Sequence, residues 1–208
     1  MAPQGHDVAV SSVPTRLPRP RSDGVRVLVA MLAVMWAVEV VDALDGHGLD
    51  AEGIMPRDAS GLLGIVFAPF LHASFGHLIA NTVPFVALGL VIALEGARRL
   101  LTVTALVALV SGLGTWLTAA AASVTLGASG VVFGYATYLA ARGVFSRRLG
   151  QLAVGVLVGV MFGGALLWGL VPRSGISWQD HLFGAIGGVG CARLLTERRA
   201  PRARFSRS

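Results

Sequence analysis

Charged positions in this chain come in short clusters, and the apolar stretches between them define its elements. A charge at mid-bilayer costs about 2.5 to 3.5 kcal/mol on insertion scales, so uncharged stretches mark what can cross a membrane. From Arg26 the chain is apolar as far as Glu39 and Asp42, which predicts a first span over 27–44 with two acids toward its far end. Between Asp58 and Glu95 lie 36 uncharged residues, about 54 Å of helix and too long for one crossing of a hydrocarbon core roughly 30 Å thick. The second span is therefore placed at 77–97. Residues 59–75, apolar but broken by Gly61, Gly64 and Pro69, read as an interfacial or re-entrant segment. The 42 uncharged residues from Arg99 to Arg142 hold a third span (100–120) and a fourth (129–142), with a turn over 119–127. The 24 between Arg148 and Arg173 give a fifth (149–171), and 180–196 gives a sixth, from which Arg193 can snorkel.

Composition sharpens this into an all-α polytopic membrane protein with a bundle of six transmembrane helices over 25–197. Apolar residues make up 54% of the 208 and charged residues 13%, about half the share usual in a soluble domain. Mean hydropathy is +0.71. The 17 basic residues are all Arg and give a net charge of +6. With six spans both termini lie on one side, and 15 of the 17 arginines then fall on that face, leaving Arg57 and Arg173 opposite. The positive-inside rule puts both termini in the cytoplasm, and the absence of Lys beside abundant Arg, Ala, Gly and Val points to a GC-rich bacterial genome and so to a bacterial plasma membrane. Residues 1–24 read as a disordered tail, and 198–208 as a basic tail suited to anionic lipid, with no nucleic-acid partner expected. The lone Cys191 excludes an internal disulfide.

Intramembrane polar residues are expensive unless paired or functional. His77 and Asn81 open the second span, Ser129 the fourth and His181 the sixth, and all three spans run in the same direction. Counted to Arg142 and Arg193, the fourth and sixth spans are only 14 and 13 residues long, which predicts that Ser129 and His181 are recessed to similar depth. A serine is a weak nucleophile until a base within hydrogen-bond reach takes its proton. Ser129 is then the nucleophile and His181 the base, with the Ser129 amide, unpaired at a helix start, and the side chains of His77 and Asn81 as oxyanion donors. Gly130 and Gly134 follow the serine, and Gly184 and Gly188 the histidine, as stripes for close helix approach. Phe133, one turn below Ser129, is placed to stack on the His181 ring. Asp180 points about 100° away from its neighbour on a helix, so a dyad rather than a triad is expected.

The segments HLIAN (77–81), GASG (127–130, from Gly127) and HLFGAIGG (181–188) resemble the rhomboid intramembrane serine proteases, in the family's order and over about Gly61 to Gly190. The resemblance implies Ser129 as nucleophile, His181 as base, and His77, Asn81 and the Ser129 amide as oxyanion hole. It also implies cleavage of single-span membrane proteins within the lipid bilayer, with small residues at the cut and helix-breaking residues nearby. His72 sits where many members keep a histidine. Where the family's first loop often carries a Trp-Arg pair, Arg57 here follows Pro56, with no Trp in 45–75.

Plainer readings exist for each feature. A membrane-helix serine most often bonds a preceding carbonyl, and glycine stripes mean packing with or without catalysis. His72, His77 and His181 could hold zinc, but no H-E-x-x-H helix accompanies them, so no metal and no cofactor are expected. Glu39 and Asp42 read as solvated acids at the outer end of the first span. Trp168 and Trp178 are either a gate or interfacial anchors. A non-catalytic rhomboid-like protein that binds or escorts membrane clients is the alternative, and a transporter is disfavoured because the polar residues gather near one surface rather than the midplane.

Overall fold

A computed structural model describes residues 22–196. Its six long helices are α1 (Ser22–Leu44), α3 (Phe75–Ala93), α4 (Ala97–Thr118), α5 (Ser129–Ser146), α6 (Leu149–Gly169) and α7 (Trp178–Leu195). The segment preceding α3 is helical in pieces: a 3-10 turn at Ser60–Leu62, the short α2 (Gly64–Phe67) and a second 3-10 turn at Ala68–Phe70. Pro69 lies in the first turn of the last piece, where its missing N–H is tolerated.

Four of the helices, α1, α3, α4 and α6, are long and apolar enough to cross a membrane by themselves. The other two, α5 and α7, have 18 residues each and form the most extensive helix pair in the bundle. Their polar positions are satisfied by protein, so they need not be apolar on every face.

Several helix ends differ from the charge-based spans. The first helix begins at Ser22, so residues 22–24 of the expected tail are helical. Asp23 accepts a bond from the Gly24 amide (2.7 Å), and Gly24 packs against the Ala93 carbonyl where a side chain would clash. Contact with the end of α3 thus orders a polar start. The second span, expected to 97, ends at Ala93, and the third starts at Ala97 because Gly96 breaks the helix with φ +108°. The fourth continues to Ser146, four residues past Arg142. Arg142 is buried, paired with Glu95 and lying 5.4 Å from the Tyr138 ring centroid. A charge used as an end marker is therefore an interior residue, and the helix is about 27 Å long at 1.5 Å per residue. The basic tail, 198–208, and residues 1–21 of the expected N-terminal tail lie outside the described residues.

Glu39 and Asp42 are not solvated: their exposures are 0% and 2%. The chain after α1 doubles back over them. His47 adopts a left-handed φ of +65°, its amide donates to the Asp42 carbonyl (2.8 Å), and the Leu49 amide donates to Asp42 Oδ1 (2.7 Å).

Candidate active site

Ser129 is the first residue of α5, and the loop that delivers it is fastened at three points. Ile54 and Thr125 exchange both backbone hydrogen bonds (2.8 and 3.0 Å), and the Gly127 amide donates to the Ala68 carbonyl (2.8 Å). The Ala128 amide donates to His72 Nε2 (3.4 Å). His72 is thus an acceptor, and burial, helped by the neighbouring His77, holds its pKa down at about 4. It stays neutral and keeps that lone pair at physiological pH.

Gly127 explains how the sequence allows this entry. Its φ of +117° suits glycine alone, and a Cβ there would come within 2.7 Å of the His77 ring and 3.7 Å of Asn81 Nδ2. His77 and Asn81 therefore face the loop one residue before the serine turn begins. Ser74 caps α3 by accepting from the His77 amide (3.2 Å). Asn81 Nδ2 donates back to the His77 carbonyl (3.2 Å), which orients the amide and leaves it a second N–H.

His181 lies in the first turns of α7, 7% exposed. Its Nδ1 is 2.7 Å from the Gly169 carbonyl at the end of α6. A carbonyl only accepts, so the proton sits on Nδ1 and the Nε2 lone pair is free to take another. The ring stacks on Phe133, with centroids 4.1 Å apart and planes within 7°. Gly169, not foreseen from sequence, packs against the edge of both: a Cβ would overlap Phe133 and reach 3.0 Å from His181 Nδ1.

The glycine stripes bring α5 and α7 together at backbone contact. A Cβ on Gly184 would overlap the Gly130 carbonyl, and one on Gly188 the Gly134 carbonyl, while Gly134 itself packs on Val107. Asp180, expected to point away from its neighbour His181, lies between Ser111 and Ser129. It is buried and accepts a short hydrogen bond from Ser111 of α4. The Ser129 hydroxyl donates to Asp180 Oδ2 at 3.5 Å rather than to the His181 ring. Sequence reading missed Ser111, one of several hydroxyl residues on α4 with nothing in the sequence to single it out. Trp168 is largely exposed and covered on one face by Arg173, 4.6 Å from its ring centroid.

The first loop compensates for its missing Trp. Trp116, from α4, donates its indole N–H to the Asp58 carbonyl (2.8 Å), and the Arg57 guanidinium donates to the Leu117 and Ala119 carbonyls (3.2 and 2.8 Å). Tryptophan and arginine meet across two elements instead of along one.

Helical architecture and four membrane-length apolar helices define an integral membrane protein. Residues 59–198 match the Rhomboid domain, and the chain belongs to the rhomboid family. It is 39% identical over 209 residues to an uncharacterized protein of Mycobacterium tuberculosis, covering 95% of this chain and 86% of the relative. A Mycobacterium bovis protein matches to the same extent. An uncharacterized protein of Mycobacterium leprae is 43% identical over 182 residues, 83% of this chain and 71% of that one.

Proposed function

We propose that this protein is an intramembrane serine endopeptidase that cleaves single-span membrane proteins by a Ser129–His181 dyad. The observation that carries the reading is the state of His181. Its Nδ1–H is committed to the Gly169 carbonyl and its face to Phe133, which leaves Nε2 as a preset base on the helix packed against the serine's own.

In the proposed cycle Ser129 Oγ turns from Asp180 to His181 Nε2, loses its proton there and attacks the scissile carbonyl carbon. The oxyanion forms beside the Ser129 amide, the His77 ring and the free N–H of Asn81. Each such donor is worth about 2.7 to 4 kcal/mol in related chemistry. The His181 imidazolium then protonates the leaving amine, and the acyl-enzyme is released by water activated on the same nitrogen. Stacking on Phe133 suits this role, because an aromatic face stabilises the transient cation.

The proposed site opens toward the outer face of a bacterial plasma membrane, with both termini cytoplasmic, as the arginine distribution favours. Preferred substrates have small residues at the cut and helix-breaking residues nearby, as in the family it belongs to. The test is co-reconstitution in liposomes with a panel of single-span reporters. Cleavage by wild type that falls about 10²- to 10⁴-fold in His181→Ala supports the reading. Binding of reporters without cleavage, unchanged by Ser129→Ala, supports the client-escort alternative instead.

A further inference from the structure

The acids at the end of α1 present a problem the proposed protease chemistry does not use. Glu39 and Asp42 lie three residues apart on one helical face, both shielded from solvent. Both Glu39 carboxylate oxygens are buried without a hydrogen-bond partner, and so is Asp50 Oδ1. Asp42, Asp50 and the His47 imidazole are close enough for their charges to act on Glu39, so three carboxylates and this histidine share the end of α1. Isolated buried carboxylates are strongly disfavoured unless paired or metal-bound.

Geometry gives these groups a common purpose. Asp42, His47 and Asp50 each offer a ligand atom, all within 4.8 Å of one another. His47 Nδ1 and Asp42 Oδ2 are 3.3 Å apart, close to the roughly 3.4 Å that separates two ligands around a tetrahedral zinc ion with bonds of about 2.0 to 2.1 Å. The Leu49 amide fixes the Asp42 carboxylate from behind, as outer-shell donors do for metal ligands. The left-handed turn at Gly46 and His47 folds the imidazole back onto Asp42.

We propose that Asp42, His47 and Asp50, faced by the buried carboxylate of Glu39, form a binding site for a divalent transition-metal cation of the zinc or manganese kind. One imidazole among carboxylates suits these ions better than magnesium or calcium, which prefer oxygen alone. The site fastens the chain after α1 back onto the end of α1 itself. It is independent of Ser129 and His181, and the sequence-based expectation of no metal considered only the three histidines nearer the serine.

The test uses full-length protein in nanodiscs, with any affinity tag removed and metals stripped by chelator. After dialysis against micromolar Zn²⁺ or Mn²⁺, with Ca²⁺ and Mg²⁺ in parallel, bound metal is counted by mass spectrometry and thermal stability is recorded. Wild type and Ser129→Ala are expected to retain about one ion per chain and to melt higher with it. Asp42→Asn with Asp50→Asn is expected to retain none. His47→Ala alters an exposed side chain and is expected to melt like wild type without metal, yet bind it at least about tenfold more weakly. Three results overturn the proposal: no stoichiometric retention by wild type, equal affinity in His47→Ala, or binding of Ca²⁺ in preference to both transition metals. Because no arm reads proteolysis, failure here and failure of the protease reading are separately visible.

Discussion

His72 is buried and accepts the Ala128 amide beside the serine. Its folded pKa of about 4 lies below the ordinary 6.5. The unfolded chain therefore binds this proton first as pH falls, and stability contributed by neutral His72 is complete above about pH 6.5 and is lost progressively down to about pH 4. The melting temperature of wild type in detergent is expected to drop across that window. In His72→Gln, which keeps an acceptor for Ala128 without titrating, that part of the drop disappears. A wild-type profile flat from pH 7 to 4, or an identical fall in the variant, sinks this account of His72. Ser129, His181, His77 and Asn81 stand out in the sequence because each is a polar group in an apolar stretch. Gly169 and Ser111 do not, since one acts through its carbonyl and the other through a bond to Asp180 on another helix. Glu39 and Asp42 were misjudged for a related reason: position along a helix says how deep an acid lies, not whether a returning loop covers it.

At the scale of elements, charge gaps locate the helices well and their ends less well. A gap ends at a charge, whereas a helix ends where capping or backbone geometry stops it, as at Gly96, or runs on through a paired charge, as at Arg142. The glycine stripes were readable because small residues four apart have one common use, and the α5–α7 contact makes that use concrete. A Cβ on Gly184 meets the Gly130 carbonyl, which is backbone and cannot swing aside. Gly184→Ala is therefore expected to destabilise the bundle by about 1 to 3 kcal/mol, the usual penalty of overpacking. On the same helix Gly190 has open space around it, so Gly190→Ala is expected to be neutral or to stabilise by up to about 1 kcal/mol. Thermal unfolding of the two variants in the same detergent checks this directly. A Gly184→Ala protein as stable as Gly190→Ala contradicts the close-packed interface.

Taken whole, the molecule is a rhomboid-family bundle in which α5 and α7, the most extensive helix pair, hold the proposed dyad. The bundle's order follows from hydropathy, and its site from polar residues gathered at one end. What sequence does not convey is the weave of loops that holds that end together: Ile54 to Thr125, Ala68 to Gly127, and Arg57 to the last carbonyls of α4. These pairs are far apart in the chain and leave no periodic trace. They matter because a nucleophile at a helix start is only as well placed as the loop before it. The central claim is that His181 activates Ser129. The most direct measurement is labelling of the purified protein in nanodiscs with a fluorophosphonate serine probe, comparing wild type, Ser129→Ala and His181→Ala after confirming that each is folded. The account predicts a covalent adduct on Ser129 of wild type and none on either variant. A folded wild type that stays unlabelled, or a His181→Ala protein labelled as fast as wild type, contradicts it.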